Sequence, residues 1–281
     1  SDYSVHPIDP KRLKNIPVMY LYATSDGSMW LGYRSILAKY DTNGQLVKEY
    51  PIRNEHGGAS ISGFCESRNH EIIISVWNGR VYHLDKEKDE FIPYPDKMRS
   101  RNPTVMVQDN EQDYFWLATW GDGVVRFDPS APGDSMFVYS EIPVNAAGEE
   151  DGLILSLAQD DKLGYIWLTT GHDFMALQIQ PDRTLKQLKF PAGLLPVNHM
   201  LVEVLKGKEC LWVSAFDRPS FILHLMDNIT KDYALPALAD RVNRSPAIMA
   251  LCDDGDGMMW MMQERTGLAR YDLKQDRVKI N

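Results

Sequence analysis

The stretch "WLATWGDGVVRFD", Trp116–Asp128, decides the fold, because it does not stand alone. It packs two tryptophans, two aspartates and a Gly-Asp-Gly turn into thirteen residues, a density that suggests an active-site loop. Five relatives argue otherwise: "MWLGYRSILAKYD" (29–41), "IIISVWNGRVYHLD" (72–85), "IWLTTGHDFMALQI" (166–179), "LWVSAFDRPSFILHL" (211–225) and "MWMMQERTGLARYD" (259–272). Their anchors are Trp30, Ile73 in place of Trp, Trp116, Trp167, Trp212 and Trp260, at intervals of 43, 43, 51, 45 and 48 residues. That period suits a four-stranded propeller blade and is too long for leucine-rich, ankyrin or tetratricopeptide repeats.

Other positions recur with the anchor. Two residues later the side chain is small in five copies (Gly32, Ser75, Ala118, Thr169, Ser214), Met262 being the exception. A polar turn precedes each anchor, and an apolar strand precedes the turn. A third strand ends at Asp41, Asp85, Asp128 and Asp272 in four copies, and weaker fourth strands follow at "LVKEYPI" (46–52), "EFIPYP" (90–95), "MFVYSEI" (136–142), "LKQLKF" (185–190) and "TKDYAL" (230–235). Strands joined by short turns form antiparallel sheets. The anchor strands are apolar on both faces, as a sheet packed between two neighbours requires and a two-layer sandwich does not. The extra residues between the third and fourth anchors fall at "NAAGEEDG" (145–152), a polar stretch that reads as a loop insertion. The expectation is an all-β propeller spanning residues 1–281 as one domain, with six blades favoured and seven as the other count. In a closed ring, "YSVHPI" (3–8) would pair into the last blade.

Composition bounds the function. The chain of 281 residues is 44% hydrophobic and 25% charged, with net charge −9. An acidic chain without Lys/Arg clusters is a poor partner for nucleic acid or an anionic membrane surface. No apolar run approaches the ~20 residues of a membrane span, so no membrane insertion by this segment is expected, and the first residues do not read as a signal peptide. Cys65, Cys210 and Cys252 are odd in number and sit in apolar strand contexts, which argues for buried thiols rather than a disulfide framework. No Cys/His spacing suggests a metal, and no cofactor is expected.

The repeats resemble those of the two-component regulator propeller family, carried by "DGSMWLG…LAKYD" (26–41), "YFWLATWGDGVVRFD" (114–128) and "DGMMWMMQERTGLARYD" (256–272). The resemblance covers roughly residues 18–280. The Ile73 copy keeps "NGRVYHLD", whereas the Trp167 and Trp212 copies lose the terminal Tyr-Asp. It implies a periplasmic sensor region of a bacterial hybrid two-component regulator, of a kind common in gut Bacteroidetes and associated with breakdown products of complex carbohydrates. It also implies that two copies can pair as a homodimer. The family offers no invariant catalytic set, so the domain is expected to bind a small molecule or oligosaccharide rather than to be an enzyme. Two readings from other classes stand beside this one: a streptogramin-lyase-like lyase or hydrolase using His172 or His199 as a base, and a protein-interaction propeller.

Within an up-and-down blade, the turn after the anchor strand shares one face with the link to the next blade. Trp77 and Trp120, the two tryptophans that are not anchors, both lie four residues after an anchor position, in adjacent repeats. The turns around them are chemically diverse. The candidate ligand-binding residues are therefore Tyr33, Arg34, Trp77, Asn78, Trp120, Asp122, His172, Asp173, Phe216, Arg218, Glu264 and Arg265, with His56, Asn102, His199 and Arg244 on the links. Aromatic planes among Asp, Asn, Arg and His suit a sugar, whose C–H face covers a ring while polar groups meet its hydroxyls. The competing reading is that Trp77 and Trp120 plug the gap between blades, and that single polar turn residues are solvated or cap their own turns.

Overall fold

A computed structural model describes residues 9, 11–13, 16–54, 57–77, 80–95, 98–99, 102–160, 163–188, 201–206, 210–215, 220–224, 229–233, 248–253, 257–263, 267–272, 274–275 and 277–280. Each repeat folds as the pattern of apolar strand, polar turn and anchor strand predicts. The first sheet holds β1 (Tyr20–Ala23), β2 (Met29–Tyr33), β3 (Ile36–Tyr40) and β4 (Leu46–Pro51), paired in that order. A two-stranded hairpin of β5 (Arg53–Asn54) and β6 (Gly57–Gly58) links it to β7 (Ile61–Glu66), β8 (Ile72–Val76), β9 (Arg80–Asp85) and β10 (Glu90–Pro93). The third sheet is β11 (Pro103–Gln108), β12 (Phe115–Thr119), β13 (Val124–Phe127) and β14 (Phe137–Tyr139). The fourth is β15 (Ile154–Asp160), β16 (Tyr165–Thr170), β17 (Phe174–Ile179) and β18 (Leu185–Gln187). The fifth is β19 (Leu201–Lys206), β20 (Cys210–Ala215), β21 (Ser220–His224) and β22 (Ile229–Tyr233). The last is β23 (Ile248–Asp253), β24 (Met258–Gln263), β25 (Gly267–Asp272) and β26 (Arg277–Ile280). All pairings between consecutive strands of a sheet are antiparallel. Beyond one 3-10 turn at Gly133–Ser135, the described residues contain no helix.

Alternate residues of the anchor strands pack in opposite directions, which makes the assembly a propeller. On β12, Phe115 and Leu117 join Cys65 and Ile73 of the preceding sheet. Trp116 and Ala118 join Ile154, Ile166 and Leu168 of the following one. Trp30 reaches forward in the same way to Phe64 and Ile74, and Trp212 to Tyr271, ring centroids 5.2 Å apart. Dispersion and hydrophobic burial on both sides of the inner anchor strands supply the cohesion. The small residue two positions after the anchor lets the next sheet approach. A Cβ added to Gly32 would stand 3.5 Å from Ile61 Cδ1 across the seam, and 3.0 Å from Tyr20 Cβ on its own sheet.

The expected blade count is corrected by this packing. Sheets contact in the sequence β1 with β7, β7 with β11, β11 with β15, β15 with β19 and β19 with β23, and no contact of that extent joins β23 to β1 among the described residues. Counting as a blade a sheet whose anchor side is covered by the next, the molecule has five, not six or seven. The sixth four-stranded unit is a terminal sheet: Trp260 is only half-buried and Met262 is 53% exposed. At the other end, Leu31, Tyr33, Ala38 and Tyr40 are covered by Leu13 and Ile16 of the preceding segment. The chain therefore caps the outward side of its first sheet itself, as terminal repeats commonly do. The expected pairing of residues 3–8 lies outside the described residues.

Candidate functional site

The post-anchor turn of the third sheet is a tight, self-bonded loop. Thr119 N and Oγ1 both donate to the Gly123 carbonyl, at 3.0 and 2.7 Å, and the Thr119 hydroxyl accepts Asp122 N–H at 3.1 Å. Gly121 (φ +126°) and Gly123 (φ +69°) hold backbone angles that side-chain-bearing residues rarely adopt. Trp120 leaves the strand just before this turn. Its backbone N–H donates to the Asn102 carbonyl at 2.8 Å, on the link from the previous sheet, and Trp77 N–H makes the equivalent bond to Ser60 at 3.0 Å. Both tryptophans thus sit where strand and link meet on one face, as their spacing predicts. Their rings touch across the seam edge to face, centroids 5.6 Å apart at 60°. Trp77 is half-buried and Trp120 is 53% exposed.

The insertion at 145–152 is a built element rather than a slack loop. Val144 bridges Glu150, Asn145 Oδ1 accepts the N–H groups of Ala147 and Glu149 at 3.0 Å, and the Gln187 amide bonds Val144 on both its N–H and its carbonyl. The insertion then crosses the Trp120 turn. The Gly152 carbonyl accepts Gly121 N–H at 2.8 Å, and Leu153 pairs with Trp120 as an antiparallel bridge. A Cβ on Gly152 would lie 2.2 Å from the Gly121 oxygen, so only glycine permits this approach.

One residue earlier, Asp151 turns inward and is only 4% exposed. Its Oδ2 accepts the Thr170 hydroxyl at 2.6 Å and stands 3.4 Å from His172 Nδ1. Thr170 Oγ1 in turn accepts the N–H groups of His172 (3.1 Å) and Asp173 (2.7 Å). Asp173 is buried and accepts Ala146 N–H at 2.8 Å. Two carboxylates are thus withdrawn from water and hydrogen-bonded, the condition for keeping a buried charge. The His172 imidazole, which Asp151 faces, is 66% exposed.

The candidate residues fall into three groups. Trp77, Trp120, Asp122, His172 and Asp173 lie on contiguous turns of one face, with Asn102 supplying a backbone acceptor there. Tyr33 is 3% exposed and its hydroxyl donates to Glu49, which also pairs with Arg12. Burial, and then the Glu49 hydrogen bond, push the phenol up to about 12; its side chain is engaged in the first sheet's own packing. Arg34 beside it is exposed, at φ +51° in the left-handed region. Asn78, Phe216, Arg218, Glu264 and Arg265, with His56, His199 and Arg244, lie outside the described residues. Sequence reasoning missed Asp151, whose role depends on how the insertion folds back.

It also missed a second polar cluster, on the face carrying the pre-anchor turns. Ser25 N–H and hydroxyl both donate to Glu66 (2.6 and 2.5 Å), and His70 Nδ1 lies 2.9 Å from Glu66 and 3.0 Å from Ser25 Oγ. Serine and carboxylate share one ring nitrogen, so no proton path leads from the hydroxyl through the imidazole. The cluster stitches the first two sheets together, as Arg68 stitches the second to the third through the Asp109 and Asn110 carbonyls. Among the described residues, no group of three or more His, Cys, Asp or Glu side chains is placed to hold a metal ion, and no helix is long and apolar enough to cross a membrane.

No protein-family model matches the chain, and no curated protein matches it. Solved structures do. Virginiamycin B lyase from Staphylococcus aureus superposes with a TM-score of 0.68 at 18% identity, over 92% of this chain and 80% of that one. PorZ, a surface component of the type-IX secretion system of Porphyromonas gingivalis, gives 0.71 at 14% identity, over 91% of this chain and 38% of that one. The extracellular domain of a putative hybrid two component system from B. thetaiotaomicron gives 0.43 at 12% identity, over 99% and 44%. The first two likenesses show the propeller fold alone, and the third is too loose to carry an argument.

Proposed function

We propose that this chain is the ligand-binding propeller of an extracytoplasmic two-component sensor, and that it takes a carbohydrate fragment on the post-anchor face. The observation that carries the reading is the Trp77–Trp120 pair. Anchor tryptophans of the first five repeats are at most 3% exposed, whereas Trp120 leaves 53% of its surface in water beside a polar turn. An exposed indole on a rigid, hydrogen-bonded turn is costly to hydrate and pre-organised to stack on an apolar ligand face. Calorimetric titration of the purified protein with a panel of plant and host oligosaccharides tests the proposal. Binding that is lost in Trp120→Ala is the expected result; absence of binding to every oligosaccharide sinks it.

A second reading, a propeller lyase or hydrolase, is favoured by one observation: an exposed imidazole backed by the buried Asp151 carboxylate is the arrangement of a general base. Turnover of a bound ligand, abolished in His172→Ala, would favour this reading over the sensor.

A further inference from the structure

The insertion does more than lengthen a link between sheets. It lays three backbone segments side by side: Trp120 bridges Leu153, and the Leu153 carbonyl accepts Gly171 N–H at 3.3 Å. Neighbouring hydrogen-bonded segments are spaced about 4.8 Å apart, so Gly171, next to His172, stands about 10 Å from Trp120. An aromatic platform and an oriented imidazole thus share one surface, joined by the insertion.

We propose that His172, positioned by Asp151, is the polar half of the ligand site, and that the site takes an uncharged hydroxylated ring and rejects its carboxylated counterpart. This rests on the carbohydrate reading above and names the sugar class.

Two arguments carry it. The first is orientation. Asp151 is 4% exposed, anchored by Thr170 at 2.6 Å, and faces His172 Nδ1 at 3.4 Å. In the neutral ring, a carboxylate facing Nδ1 favours the proton there, which leaves Nε2 as the acceptor. An acceptor beside an aromatic face matches a ring hydroxyl, which can donate. It does not match an ionised carboxylate, which cannot.

The second is charge. Asp122 and Asp173 lie on the two turns, and Glu149, Glu150 and Asp151 on the insertion that joins them. In the segments 119–123, 144–153 and 170–174, His172 is the one basic residue. A ligand carboxylate brought here meets like charges, and that repulsion serves as discrimination against the wrong ligand. Nothing comparable opposes a neutral ring.

The test is calorimetry at pH 7 with a matched pair of probes, galactan oligosaccharides and oligogalacturonates of the same length, followed by the preferred probe of the panel and its uronate counterpart. The neutral sugar is expected to bind at least tenfold more tightly. His172→Ala should weaken neutral binding at least tenfold with an unchanged melting temperature. His172→Gln, which keeps an acceptor, should recover most of that loss. Asp151→Asn should weaken neutral binding several-fold and, because it removes a charge, narrow the gap to the uronate. Equal or tighter binding of the uronate overturns the proposal, and so does neutral binding indifferent to His172→Ala. Binding of neither sugar type by a folded protein overturns the carbohydrate reading itself, and this inference with it.

Discussion

Trp116 and Trp120 stand four residues apart, on β12 and just beyond it, and they do opposite work. Trp116 is fully buried, its Nε1 donating to Asp109 Oδ2 at 2.9 Å. Asp109 is itself buried and also accepts Gln159 Nε2 from the next sheet at 3.1 Å and the N–H groups of Glu111 and Gln112. Trp120 has half its surface in solvent, and its ring meets the Trp77 ring edge to face. The position that recurs around the propeller is occupied for packing, and the position that departs from the repeat is free for something else. The largest expected effect follows from the first half of that contrast. Trp116→Ala should cost about 3–5 kcal/mol, the usual range for emptying a large buried site, and lower the melting temperature by on the order of 10 °C. Urea denaturation measures it directly. A loss below about 1 kcal/mol would break the contrast at its firm end.

Asp109→Ala comes next. It strands the Trp116 indole N–H and the Gln159 amide, groups whose burial without partners costs about 1–3 kcal/mol each. Because the two residues share one hydrogen bond, the double variant with Trp116→Ala should lose less than the sum of the single losses, and a double-mutant cycle reads the difference.

These two residues also show what was legible in advance. An anchor buried from both sides must be apolar and must recur, so Trp30, Trp116, Trp167 and Trp212 announced the propeller. The equivalence of Trp77 and Trp120 followed from the same register. The blade count did not follow, because a repeat unit in sequence does not say whether its outward side is covered. Only Met262, large where five copies are small, signalled that, among the described residues, no other sheet packs closely on that side of the last one. Asp151 was not legible for a different reason. It is one of three consecutive acids, Glu149, Glu150 and Asp151, and only the fold-back through Gly152 turns the third inward. Tyr33 shows the converse: its post-anchor position matched the site pattern, but the Glu49 and Arg12 partners that engage it are distant in sequence.

Trp120→Ala tests the other end of the contrast. With half the ring already in water, stability should change by no more than about 1 kcal/mol, while oligosaccharide binding falls at least tenfold. Trp77→Ala, half-buried, should lie between, losing some stability and some affinity. If Trp120→Ala destabilises the protein as Trp116→Ala does, the ring is a plug between blades, and the platform reading falls with it.

The smallest effect expected is on the opposite face, where the pre-anchor turns are scaffold. Asp26 accepts the Thr24 hydroxyl at 2.6 Å and Ser28 N–H at 2.9 Å, with Lys39 Nζ at 3.3 Å. These bonds, the Thr24 hydroxyl foremost, hold its carboxyl well below the usual carboxylate range. A depressed folded-state value means that the unfolded chain takes up the proton first. The contribution is therefore complete above the unfolded value of about 4 and is lost as pH falls below it. The side chain is 57% exposed, so solvent screening limits the effect to under about 1 kcal/mol. Asp26→Asn should lower the urea midpoint slightly at pH 7, with the gap to the parent protein shrinking as the pH is taken down to about 2. A gap that stays constant would mean that Asn disturbs the turn geometry and that the charge contributes nothing. A change in sugar affinity with Asp26→Asn would show that the two faces are not independent, and would weaken the division between scaffold turns and ligand turns that Trp116 and Trp120 define.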